Sequence, residues 1–496
     1  MDGTLFQLID DVTPKNLKQA MQQAIEIEIA TIPVYLYTYY SINRTPNQDD
    51  LATQILKDFK LTQSSVEDPI PDNILTEMAN ELALEIVVFA NKAGALILSV
   101  AVEEMLHMSL SSNIKNALGK YGGLPDLVGK TPKVWPAYLP GHVPAFPINR
   151  AKLTLDQLHA FLLIETPLPF NNNMAEKGDV IEYQTIGQYY GKIIDCIQND
   201  LSDSDFNPDA PQLISGRGYY AQNNIDTVYY NKKHEAQFTN ANDSGGLIHV
   251  VNRASAVAAM NEIVEQGEGA THKTPAGKKI TGNHLTPDGQ VVCPIAPLGK
   301  KGTNTNDYDD KDKKELSHFD KFLEVYCGIY KINHGLNEQL GTKDFDFTKY
   351  FVKDLPTNPM TTDYPEDIQK LSTLTNSIYT YIFVMAEACY KTGGHKQYEI
   401  FMFGIHKSMI WILNSLCESM SGMSYRDANG MLQTVSATLE DYDFALSSSP
   451  KSQIIELAAI AKAANPSLSE GVIANINDLP DVPIESYLVK DNTGIL

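Results

Sequence analysis

Two Glu-x-x-His tetrads, Glu104-Met-Leu-His107 and Glu315-Leu-Ser-His318, constrain this chain more than any other feature. Each falls in a stretch whose apolar residues recur at helical spacing, and residues three apart on a helix share a face. Each tetrad therefore aims a carboxylate and an imidazole at one point. Two such helices face to face, with one glutamate from each of two further helices, form a cage of four Glu and two His that holds a pair of metal ions. The extra carboxylates occur in the expected chain order: Glu28 in the first helical stretch, Glu265 in the stretch before the second tetrad. One tetrad alone is weak, because chance supplies it. The ordered set on four amphipathic stretches is far more specific.

The position of each glutamate on its helix carries the argument further. Glu28 shares a stripe with Ala24, Ile25, Ile32 and Tyr35, and Glu104 shares one with Ile97, Val100 and His107. Glu315 and His318 align with Phe322, Val325 and Ile329. A carboxylate on a buried face is costly unless it is paired or binds a metal. Glu265 lies on a stripe with Leu247, Ala254 and Ala258, and Glu262 and Glu268 compete with it within a turn. Glu103 reaches His107 at i+4 from a more polar face, which suits a supporting or surface role. Tyr35 crowds the first ligand helix with Tyr37, Tyr39 and Tyr40, as core packing or as a pocket wall. Glu165, just before Thr166-Pro167, reads either as a further polar group near the site or as a helix-end residue. The remaining histidines, among them His249, His334 and His406, lack a partner at ligand spacing. Oxygen donors that bridge two cations, completed by imidazole, suit non-haem iron or manganese.

Charge and composition narrow the partners. The chain has 496 residues and a formal net charge of −22, which disfavours nucleic acid and anionic membrane surfaces. Its five cysteines are scattered and never form a C-x-x-C pair, so they read as reduced thiols of a cytoplasmic protein. The stretch 86–102 is nearly all apolar, but it contains Asn91 and Lys92 and runs into Glu103 and Glu104. A helix apolar on most faces is the central helix of a soluble bundle rather than a membrane span.

The pattern along the chain predicts an all-α protein: a four-helix bundle with long loop insertions and additional C-terminal helices. Helices are expected over 17–41, with a kink near Ile29 from Pro33, and over 75–118, joined by a polar connection at 43–73. An irregular crossing segment occupies 121–150. Further helices follow over 153–164, with Thr154 as N-cap, and over 183–197, 246–266 and 316–330. Between the last two, residues 269–311 lose the helical period and carry clustered lysines, among them Lys278 and Lys279, so a lid, an entrance loop or disorder is expected there. Residues 1–340 form the di-metal unit, 341–430 hold accessory helices (368–390 and 398–420), and 431–496 form C-terminal helices and a tail.

Several separated motifs also carry a family resemblance. The runs from Glu26 to Ile42, from Val102 to Leu110 and from Thr185 to Tyr190, with Ile263-Val-Glu-Gln-Gly-Glu-Gly269 and Glu315-Leu-Ser-His-Phe319, occur in order. Together they resemble the ferritin-like domain family associated with iminophenyl-pyruvate dimer synthases of the violacein and rebeccamycin pathways. The resemblance covers about residues 15–335. It implies a ferritin-like bundle with Glu28, Glu104, His107, Glu265, Glu315 and His318 at the metal positions. The named synthases are much longer chains that couple two amino-acid-derived imines oxidatively. The expectation is therefore a cytoplasmic non-haem di-metal oxidase or oxygenase, with two ions of iron or manganese, O₂ and a small, amino-acid-derived substrate, and with homo-oligomerisation left open. The alternatives are a ferroxidase or iron-handling protein, and a metal-binding helical protein without catalysis.

Overall fold

In the computed structural model, residues 6–64, 66–140, 147–166, 185–214, 247–268, 284–286, 289–294, 316–427 and 429–483 are described. Helix α1 (Leu17–Tyr40) continues through Pro33. From Gln23 to Tyr40 every residue but Glu26 is buried. Helix α3 (Asp72–Ala117) has 46 residues, about 70 Å of helix at 1.5 Å per residue. Residues 93–115 of α3 are all buried, so this helix is enclosed on every face. Its apolar run passes the length and hydropathy test for a membrane span, as does Gly394–Ser421, yet 78% of each apolar window is buried inside the protein. Both are core helices of this fold.

Helices α1 and α3 pack along each other, and the remaining bundle helices close around them. These are α4 (Leu155–Ile164), α5 (Ile186–Asp200), α6 (Arg253–Glu268) and α7 (His318–Leu340). The Thr154 hydroxyl accepts the Gln157 N–H and caps α4, as its sequence predicts. Ser317 caps α7 through the Asp320 N–H, and Gly341, at a φ of +64°, ends it. Helix α4 packs on α7, α5 packs on α6, and α3 touches both α6 and α7. The 43–73 connection departs from expectation, since it contains α2 (Gln48–Gln63). Asn47 caps α2 by accepting the Asp49 and Asp50 N–H groups, and Leu51, Ile55 and Phe59 form its buried edge. That stripe is one residue wide, which is why a polar composition concealed it.

The C-terminal region adds α8 (Glu366–Cys389), α9 (Gly394–Glu399), a π-helical run (Ile400–Leu413), α10 (Asn414–Ser421), α11 (Pro450–Ala464) and α12 (Glu470–Asn477). Helix α8 packs on the π-helical run and on α11. One continuous apolar core joins this region to the bundle. The sheets among the described residues are two short antiparallel pairs, Ala137–Tyr138 with Pro147–Ile148 and Ser424–Arg426 with Leu432–Thr434.

The expectation of reduced thiols is corrected at one pair: Cys293 and Cys327 form a disulfide that ties the 289–294 segment to α7. Cys196, Cys389 and Cys417 are free and buried. Disulfides persist in oxidising compartments, so this pair takes away the cysteine argument for the cytoplasm. Within the 269–311 insertion, Leu285 bridges Val291 and Gly289 takes a φ of +80°. The clustered lysines of that insertion lie outside the described residues.

Two glycines of α7 separate packing from helix propensity. A Cβ on Gly328 would lie 2.4 Å from the Phe89 ring, whereas one on Gly335 would meet nothing within 4 Å. Phe89 is itself wedged against Phe347 and Phe351. Gly335→Ala should stabilise the protein by about 0.5–1 kcal/mol through helix propensity. Gly328→Ala gains the same term but overpacks, at about 1–3 kcal/mol, and should be net destabilising. Chemical denaturation of the two variants checks the opposite signs.

Candidate metal centre

Glu28 of α1, Glu104 and His107 of α3, Glu165 at the end of α4 and His318 at the start of α7 meet inside the bundle. Their exposures are 4%, 2%, 2%, 7% and 0%. The His107 and His318 rings stack with centroids 5.0 Å apart and planes inclined by 23°. Each turns its Nδ1 toward the carboxylates. His107 Nδ1 lies 3.6 Å from Glu28 Oε2 and 4.0 Å from Glu104 Oε2. His318 Nδ1 lies 3.0 Å from Glu104 Oε1 and 3.6 Å from Glu165 Oε2. Glu104 thus offers one oxygen to each imidazole, and Glu28 and Glu165 flank it.

A second layer of side chains fixes the first. The outer nitrogen of His107, Nε2, sits 3.0 Å from Gln266 Oε1 of α6. That of His318 sits 2.9 Å from Glu103 Oε2, and both Glu103 oxygens accept from Lys321 Nζ at 2.7 and 2.8 Å. Tyr190 of α5 donates to Glu28 Oε1, and Tyr35 donates to Glu165 Oε1 at 2.5 Å. Burial raises both phenols well above the usual tyrosine range, reinforced by the neighbouring carboxylates, so each stays a donor.

The donor set fits a pair of cations. A carboxylate only accepts, so the bond to Glu103 puts the proton of a neutral His318 on Nε2 and leaves the Nδ1 lone pair facing carboxylate oxygens. His318 Nδ1 is buried and makes no hydrogen bond among the described residues. Glu104, His107 and His318 offer ligand atoms within 4.8 Å of one another. The electrostatics show the same demand for positive charge. Burial, and then the charge of Glu28, pushes the Glu104 carboxyl well above the usual range. Burial works to raise Glu28, but the neighbouring His107 imidazole and Glu104 carboxyl outweigh it and hold that carboxyl below the usual range. Burial alone would lower His318, and its bond to Glu103 with the Glu104 and Glu165 carboxylates beside it instead raises it well above the usual imidazole range. Protons are drawn to where cations would sit.

The sequence-derived ligands divide clearly. Glu28, Glu104, His107 and His318 come together. Glu265 does not join them: it lies on the exposed face of α6, where solvation costs a carboxylate nothing. Glu262, one turn earlier, is half-buried, and Glu268 has no described side chain. Glu315 lies outside the described residues; Ser317 is extended, so the helix carrying the second tetrad begins at His318 itself. Glu165 is the carboxylate gained. Tyr35 is at the site as a hydrogen-bond donor to Glu165. Glu103, expected to support, does so from full burial. The sequence pattern does not single out Gln266, Tyr190 or Lys321. Of these, Lys321 carries a signal, as a lysine one turn from His318 on the apolar face of Phe322 and Val325.

A small cavity of about 30 Å³ opens on this cluster. Its polar lining includes Glu28, Glu104, His107, Glu165 and Tyr190, and its apolar wall includes Ile27, Ile164, Ile186, Ile263 and Val264.

Comparison with known proteins agrees with the fold. Residues 21–286, more than half of the chain, match the Ferritin-like family, and the chain belongs to that family. A solved ferritin-like protein from Caulobacter vibrioides is 16% identical, covering 82% of this chain and 97% of its own, with a TM-score of 0.37. That likeness is too loose to carry any argument about the site. Comparison with curated proteins gives no significant match.

The cluster should take up two divalent ions per chain, and His107→Ala or His318→Ala should each lower that number while the chain stays folded. Uptake should weaken as the pH falls, because the raised Glu104 and His318 must lose their protons to bind. Metal analysis after anaerobic Fe(II) loading at pH 8 and pH 5.5 checks both the count and the sign.

Proposed function

We propose that this protein is a non-haem di-metal oxidoreductase that uses O₂ on a small, largely apolar metabolite of amino-acid origin. One observation carries the reading: the pocket that opens on the Glu and His cluster has an apolar wall of Ile27, Ile164, Ile186, Ile263 and Val264. A site that passed only hydrated iron would have no use for such a wall, whereas an organic substrate would be desolvated against it. Family membership supports a di-metal bundle. The sequence resemblance to the domain of iminophenyl-pyruvate dimer synthases supports the amino-acid origin of the substrate.

Two divalent ions, once bound, would supply O₂ activation and Lewis acidity at the pocket floor. The chain's own residues do the rest. Glu104 offers an oxygen to each half of the site, with Glu28 and His107 on one side and Glu165 and His318 on the other. Tyr190 and Tyr35 fix the two flanking carboxylates and keep their own protons, while burial excludes bulk water. The isoleucine wall orients the apolar part of a substrate over Glu104 and His107.

Filling the pocket separates this reading from ferroxidase activity. Ile186 is half-buried at the pocket wall, so Ile186→Trp should block the pocket from its rim. The variant should keep its metal content and its O₂-dependent Fe(II) oxidation, yet lose about 100-fold or more in turnover of the organic substrate. The check is mass spectrometry of amino-acid-derived metabolites incubated with Fe(II)-loaded protein and O₂. Iron mineralisation with no metabolite consumed by the wild type would favour the iron-handling reading.

A further inference from the structure

The two halves of the centre are close to equivalent on the side that faces the cations. His107 Nδ1 lies 3.6 Å from Glu28 Oε2, and His318 Nδ1 lies 3.6 Å from Glu165 Oε2. Each flanking carboxylate takes a hydrogen bond from one buried tyrosine, Tyr190 or Tyr35. Behind the imidazoles this equivalence ends. The outer nitrogen of His107 meets a neutral amide, Gln266 Oε1, at 3.0 Å on a half-buried residue of α6. The outer nitrogen of His318 meets a carboxylate, Glu103 Oε2, at 2.9 Å, in a site where His318, Glu103 and Lys321 are 0%, 1% and 2% exposed.

We propose that the two metal positions are inequivalent, and that the Glu103–Lys321 pair makes the His318 position the tighter one. The inference rests on the di-metal reading above. An imidazole whose outer N–H is held by a carboxylate is a stronger donor at its other nitrogen than one held by an amide, because the carboxylate draws the proton away and leaves electron density on the ring. Hydrogen bonds to an ionised acceptor are also about twice as strong as neutral ones, so the ring is held more firmly in its ligating orientation. Glu103 can remain an anion in this enclosed site because Lys321 Nζ bonds both of its oxygens at 2.7 and 2.8 Å. Lys321 is thus a positioning residue that acts on the metal through Glu103 and His318. The shared carboxylate leans the same way, with Glu104 3.0 Å from His318 Nδ1 and 4.0 Å from His107 Nδ1.

Such a centre fills in order, His318 position first, and at limiting metal holds one ion rather than a mixture of empty and fully loaded chains. It can also hold two different ions, with the stronger competitor at His318.

The test is an anaerobic Mn(II) titration of the full chain, followed by calorimetry and electron paramagnetic resonance. The expected wild-type result is two steps whose constants differ by about tenfold or more. The resonance of an isolated ion should dominate at one equivalent, and that of a coupled pair at two. His107→Ala should keep the tight step, and His318→Ala should lose it. The double change Glu103→Gln with Lys321→Met removes both charges of the pair together, and it should abolish most of the difference. Gln266→Glu, at the half-buried position, should narrow the difference from the other side by tightening the weak step. Two ions bound with indistinguishable constants in the wild type would overturn the inference while leaving the di-metal centre standing, as would a ratio that neither outer variant moves. Failure to bind Mn(II) at all would overturn the di-metal reading itself.

Discussion

Everything in the bundle is arranged around one electrostatic constraint: Glu28, Glu104 and Glu165 are buried together with His107 and His318 and, among the described residues, lack enough internal countercharge. Isolated carboxylates in such a place cost several kcal/mol each, and proteins tolerate them when cations or protons neutralise them. The raised carboxyl of Glu104 and raised imidazole of His318 are the protein's response when protons alone are available. Glu103 shows the contrast. It is as deeply buried, but Lys321 neutralises it directly, so it serves to hold His318 rather than to demand a cation.

The architecture follows from enclosing that charge. Helix α3 carries Glu103, Glu104 and His107 through a stretch buried on every face, and only a helix surrounded by others can do this. α1 supplies Glu28 along its length, while α4 and α7 contribute through their ends, Glu165 as the last residue of one and His318 as the first of the other. Ligands at helix ends depend on capping. Ser317 defines where α7 begins and so places His318 at its first position, while Glu165 closes the last turn of α4, its N–H bonded to the Phe161 carbonyl. α5 and α6 close the remaining side with Tyr190 and Gln266 and line the pocket.

Much of this is legible in the sequence, for a physical reason. Helical period fixes which residues share a face, so Glu28 among Ala24, Ile25 and Ile32, and Glu104 among Ile97 and Val100, belong inside by spacing alone. Period does not fix rotation between neighbouring helices. On α6 the stripe alone does not choose among Glu262, Glu265 and Glu268, and the packing turns Glu265 to solvent and Gln266 to His107. Glu165 escapes a firm assignment because it lies at a helix end, where side-chain direction depends on the cap and the following chain. The Cys293–Cys327 bridge joins a segment without period to a helix, and nothing in the spacing encodes that contact. Helix α2 is hidden by its polar surface, although Leu51, Ile55 and Phe59 mark its buried edge.

Anomalous diffraction at the iron absorption edge, from crystals grown anaerobically with Fe(II), tests the central claim most directly. Two peaks should appear inside the bundle, one beside Glu28 and His107, the other beside Glu165 and His318, with Glu104 between them. Peaks confined to the acidic surface, or an empty bundle with Glu104 and His318 still in direct contact, would contradict the account.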